Sequence, residues 1–117
     1  MQPEINPLKT SVVNVTDLAL DSGSFYHVVP SKRMLLNHRH SDQGFITADG
    51  CLSNATCKGT LPLLITHADG ERSILLLKDV ECNPSFKMTL ISVRLLAKKG
   101  ATLIFGEVCW MKLPATV

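Results

Sequence analysis

The sequence predicts a mainly-β domain that closes on itself and carries one short helix near its C-terminal end. Three observations point there. Short β-branched and apolar runs recur along the chain, an Asp-Gly pair punctuates them twice, and only one segment keeps its apolar residues at helical spacing.

Residues 1–10 read as a linker, polar and broken by Pro3 and Pro7. Ser11-Val12-Val13 and Val15 to Leu20 are strand-forming and run into Asp21-Ser22-Gly23. Tyr26 to Val29 is a return strand stopped by Pro30. Ser31 is placed to cap a short helical turn through Leu36, before a polar loop holding His38-Arg39-His40. No acidic or cysteine partner converges on those histidines, so a solvated turn is expected rather than a metal or phosphate patch.

Two hairpins follow. The first joins Phe45-Ile46-Thr47 to Cys51-Leu52-Ser53 through Ala48-Asp49-Gly50, and the second joins Leu63 to Thr66 with Ser73 to Leu76. In both, Asp-Gly supplies the positive φ that a two-residue hairpin turn needs. Asn83-Pro84-Ser85 breaks the chain before the helix, expected over Leu90 to Lys99 with Gly100 as its stop. Residues 101–105 and 108–111 complete a last hairpin through Gly106-Glu107. The domain is thus expected over 11–113, with 114–117 as a tail.

At 117 residues the chain is one domain, and 45% apolar residues is a high share for so short a sequence. Apolar surface left over after folding would favour a subunit interface. A net charge of +2, with Lys32-Arg33 and Lys98-Lys99 as the only basic pairs, is no nucleic-acid signature. Cys51, Cys57, Cys82 and Cys109 lack the paired spacing of a zinc site and read as free thiols. No metal, cofactor or membrane contact is expected. No apolar run approaches the roughly 20 residues needed to span a bilayer. The first residues do not form a secretory signal, so a cytoplasmic location is expected.

The chemistry-bearing stretch is Leu18-Ala19-Leu20-Asp21-Ser22-Gly23, an apolar strand that delivers one acid into a Ser-Gly turn. Asp-Ser-Gly is also ordinary turn chemistry, because Asp caps its own backbone. The neighbourhood decides between the two. Leu20-Asp21-Ser22-Gly23 with His27, then Ala48-Asp49-Gly50, Leu77-Lys78-Asp79-Val80, and Leu90-Ile91-Ser92-Val93 with Lys99-Gly100 follow one another in this order. In that ordered set the chain resembles the protease domain of copia-type LTR retrotransposons, within the retropepsin-like aspartic proteases.

The resemblance implies a retropepsin-like closed β-barrel, working as a homodimer that cleaves its own element's polyprotein, with association with virus-like particles. Asp21 from each subunit would form the catalytic dyad, Ser22 would bond across the two-fold axis, and Gly23 would let the backbone approach the dyad. Thr47, Ala48, Asp49, Gly50 and Cys51 would form the flap over substrate. Where the family carries small residues after Asp-Ser-Gly, this chain has Ser24-Phe25-Tyr26, which would line the substrate groove or wedge into the interface. His27 is expected to be a buried, hydrogen-bonded structural histidine. Two other classes remain: a non-catalytic β-module for protein binding, and a metal-dependent hydrolase using the Cys and His set.

Overall fold

The computed structural model describes residues 10–13, 18–47, 49–67, 69–104 and 110–112. Residues 1–9 of the expected linker, the tail, residues 14–17, both turn alanines and residues 105–109 of the last hairpin, Cys109 among them, lie outside them; Thr10, expected in the linker, opens the first strand. In chain order come β1 (Thr10–Val13), β2 (Leu18–Asp21), β3 (Val28–Val29), a 3₁₀ turn (Lys32–Met34) and β4 (Leu36–His40). Then follow β5 (Gly44–Ile46), β6 (Leu52–Asn54), β7 (Cys57–His67) and β8 (Arg72–Cys82). The chain ends through β9 (Thr89–Ser92), α1 (Val93–Lys98), β10 (Thr102–Ile104) and β11 (Trp110–Lys112).

The long hairpin β7–β8 is the spine. Its residues alternate between faces, so Cys57, Leu61, Leu63 and Ile65 of β7 enter the core with Leu77, Val80 and Cys82 of β8. The opposite edge of β7 is shared: β4 pairs near its start, up to Thr60, and β1 pairs near its end, from Ile65. Pro62, which has no N–H to give, falls in the stretch between them. Beyond β8 the sheet continues β3, β9, β2; beyond β1 it continues β11, β10. β5 and β6 form a separate two-stranded sheet.

Several expectations need correction. The sheet is not closed: β10 and β2 end it, no pairing among the described residues joins them, and α1 packs against β10. The helix starts at Val93 and not at Leu90, because Leu90 and Ile91 belong to β9, inserted between β2 and β3. A β-branched residue buried between two strands gains more from the ladder than from a first helical turn. Gly100, at φ 90°, ends the helix as expected, and Ala101 N–H closes back on Leu96 O at 3.0 Å.

His38-Arg39-His40 is not a loop but part of the exposed edge strand β4. Its ladder to β7 is interrupted between Leu36 and Arg39, where Asn37 takes φ 52°. The displaced β4 backbone presses on Gly59, where an added Cβ would lie 2.7 Å from Leu36 O. Ser31 does cap the following turn, its hydroxyl accepting from Arg33 N–H, though the turn ends at Met34.

Both Asp-Gly turns also differ from a two-residue hairpin. Thr47 N–H donates to Cys51 O and Gly50 N–H to Thr47 O, at 3.0 and 2.8 Å; His67, Glu71 and Gly70 repeat the pattern. Each loop therefore holds three residues, and of the two described in each the glycine is left-handed and the aspartate is not, Gly50 at φ 83° and Gly70 at φ 91°. The aspartates instead cap the turns from their side chains, Asp49 to Cys51 N–H and Asp69 to Glu71 N–H. A side chain that can cap removes the need for a second positive φ.

Candidate active site

Asp21 is the last residue of β2, and its strand runs parallel to β9 with Asp21 level with Ser92. The carboxylate oxygen Oδ1 accepts the Gly23 N–H at 2.8 Å, closing the Asp-Ser-Gly turn on itself. Asp21 is half-buried, while Ser22 and Gly23 are exposed. A Cβ on Gly23 would stand 3.4 Å from Asp21 Oδ1, an ordinary contact. Within one chain, then, the space around Gly23 does not demand glycine; a demand must come from whatever approaches the turn.

The turn is held from beneath by Ser92, a residue whose role the sequence does not announce. Its N–H donates to His27 Nδ1 at 2.9 Å, and its hydroxyl donates to Ser24 O at 2.7 Å. The same hydroxyl accepts Leu95 N–H and so caps α1. One serine thus ties β9, the helix start and the Asp21 loop together. His27 is buried and hydrogen-bonded at Nδ1, as expected: burial first, and the Lys99 charge second, push its pKa from 6.5 down to about 4. The neutral ring can therefore accept at Nδ1 at ordinary pH.

The three residues expected in the groove divide. Ser24 is occupied with the loop itself, its hydroxyl donating to Tyr26 O at 2.7 Å. Phe25 is 63% exposed, with the Arg94 guanidinium carbon 4.5 Å from its ring centre. Tyr26 turns toward the β5–β6 hairpin and meets Phe45 edge-on at 5.5 Å, and Phe45 meets Phe86 likewise at 5.4 Å.

That hairpin is two-faced. Phe45 faces the Tyr26–Phe86 stack, and Ser53, directly opposite it, accepts a hydrogen bond from Asn83 Nδ2 at 2.9 Å. The other face shows Ile46 opposite Leu52, each 77% exposed. At the tip, Asp49 accepts from the Thr47 hydroxyl, Cys51 N–H and Cys51 Sγ, in that order the causes that lower its pKa below the usual carboxylate value. Asp49, Gly50 and Cys51 are exposed, Thr47 is half-buried, and Ala48 lies outside the described residues. A shallow cavity of about 450 Å³ runs along Thr47, Asp49, Cys51, Leu52 and Ser53 to Ser85.

Asn83 is the second residue that the sequence reading passes over, as a mere break before Pro84. It is fully buried, its N–H bonds Val29 O, and its Oδ1 accepts Ser85 N–H. The signal was present in Asn-Pro-Ser, an Asx-turn pattern. Among the described residues no three His, Cys, Asp or Glu side chains are grouped to hold a metal ion, and no helix is long and apolar enough to cross a membrane.

Compared with known families, residues 18–101 match the family described as Pol polyprotein, beta-barrel domain. That match covers most of the chain, and the chain belongs to this family. No curated protein and no solved structure matches it.

Proposed function

From membership of a Pol polyprotein barrel family and from the placement of Asp21, we propose that this domain is one half of a copia-type, retropepsin-like aspartic endopeptidase. It acts on the polyprotein of its own element, and Asp21 of two copies makes the site. The observation that carries this reading is an acid at the end of a strand, in an exposed Asp-Ser-Gly turn locked by Ser92 and His27.

Peptide hydrolysis needs a water activated and an amide nitrogen protonated. Two facing carboxylates that share one proton do both: the ionised one takes a proton from water while the neutral one polarises the scissile carbonyl. Such a pair titrates as a unit, because like charges at about 3 Å cannot both ionise readily; the aspartic proteases are the standard illustration. In this chain the Gly23 N–H already bonds Oδ1 of Asp21, which fixes the carboxylate plane before substrate arrives. Exposed Ser22 is free to bond across the two-fold axis, and the exposed tip of the β5–β6 hairpin offers backbone groups to an extended peptide.

The test is Asp21→Asn, nearly isosteric and lacking the general base in both copies. Cleavage of peptides drawn from the polyprotein should drop by about three orders of magnitude or more, with fold and association retained. Near-parental cleavage by the purified variant would falsify the assignment. The non-catalytic binding module is the second reading, supported by a family description that names a barrel and no activity; it expects no functional loss in Asp21→Asn.

A further inference from the structure

Cys57 opens β7 and Cys82 closes β8, and the two are direct cross-strand partners in the antiparallel ladder. Directly opposite residues share a face, with Cα atoms roughly 4.5–5.5 Å apart, inside the roughly 4.4–6.8 Å range of disulfides. Cβ atoms of directly opposite residues generally lie roughly 4.5–5.5 Å apart, so closing an S–S bond, which spans roughly 3.5–4.5 Å, draws the two strands slightly together. Both side chains point into the core, 7% and 1% exposed, and both thiols are free. The strands are held together at this point by Thr56 N–H bonding Cys82 O at 2.9 Å.

We propose that Cys57 and Cys82 are a modification site, forming a reversible intramolecular disulfide when the domain meets a peroxide. Cys57, the less buried, reacts first: its thiolate attacks a peroxide oxygen, the O–O bond breaks, and a sulfenic acid and one water result. The Cys82 thiol then attacks that sulfur; the S–S bond forms and the sulfenic oxygen leaves as a second water. Two thiols are oxidised and one peroxide reduced. Burial above all raises the Cys82 thiol above its ordinary value, which favours this order.

The location gives the bond a consequence. Cys57 follows β6 by only Ala55 and Thr56, and Cys82 pairs with Val29 beside Asn83, the residue that holds Ser53. A disulfide would therefore fasten the trailing leg of the β5–β6 hairpin to the strands that support the Asp21 loop. This inference stands whether or not the domain cleaves peptides.

The experiment uses the full chain with Cys51→Ser and Cys109→Ser, so that only the pair remains. The native protein is treated with hydrogen peroxide, remaining thiols are alkylated, and proteolytic fragments are weighed. A fragment joining Cys57 to Cys82, two hydrogens lighter than its parts, is expected. The melting temperature should rise by at least about 5 °C and return with dithiothreitol. Adding Cys57→Ser, or Cys82→Ala in its place, should abolish the shift. Recovery of both cysteines as separate alkylated or sulfinic fragments, or a linkage found only between molecules, would overturn the proposal.

Discussion

His27 couples the integrity of the Asp21 loop to acidity. Its folded pKa is depressed, to about 4 from 6.5. Between those values the unfolded ring binds a proton that the folded ring refuses, so the unfolded state gains as pH falls. The stabilisation is full above the unfolded pKa and drains away toward the folded one, reaching on the order of 3 kcal/mol. Urea unfolding should show this loss between about pH 6.5 and pH 4. His27→Gln should be less stable near neutrality, since the Ser92 N–H loses its ring acceptor, but flatter across that window. Equal pH slopes in parent and variant would remove His27 as the cause. Under the proposed function, the acid limb of activity would be set in part by this latch and not by the carboxylate dyad alone.

At the scale of elements, glycines separate local conformation from close packing. Gly59 has β4 backbone against it, 2.7 Å from Leu36 O and 3.0 Å from His38 Cα to a built Cβ. Gly59→Ala should cost about 2 kcal/mol or more in urea unfolding and detach β4 first; an unchanged midpoint would contradict this packing. Gly50 and Gly70 have open space around them and matched positive φ. Gly50→Val and Gly70→Val should each cost about 1–2 kcal/mol. Under the proposed function, only Gly50→Val should also impair peptide turnover. A turnover loss confined to Gly70→Val would mean that the second hairpin, not the first, serves the site.

Much of this element level is legible in the sequence. Asp-Gly twice marks a hairpin at the right place, and Gly100 ends the helix. What misleads is partnership. Leu90 and Ile91 fit a helical stripe and a strand equally well, and only β2 and β3 on either side decide between them. His38 to His40 reads as loop because these exposed polar residues show no alternation, yet β7 supplies the ladder. For the proposed site, Asp-Ser-Gly by itself reads as an ordinary turn, and Asp21 stands out only through the ordered motifs that follow it along the chain. Ser92 does not, because its three hydrogen bonds reach residues far away along the chain or serve as an ordinary cap.

For the molecule as a whole, the proposed chemistry needs two chains, since the sequence offers one Asp-Ser-Gly. Specific activity should fall on dilution in step with dimer loss measured by sedimentation, and the assembly should be two-fold symmetric. Full activity from a sedimenting monomer would end the shared-dyad mechanism. The described sheet also places its parts unequally. Among the described residues β7 is bonded to β8, β4 and β1, whereas β2, which bears Asp21, is one of the two terminal strands and pairs with β9 alone. Opening β2 exposes few backbone groups and leaves the β7–β8 spine intact, so it belongs to the low end of the molecule's opening free energies. The carboxylate is therefore carried by a strand that can come loose while the rest stays folded. Whatever packs against the outer edge of β2 would tighten the proposed reactive geometry without touching the global stability of the chain.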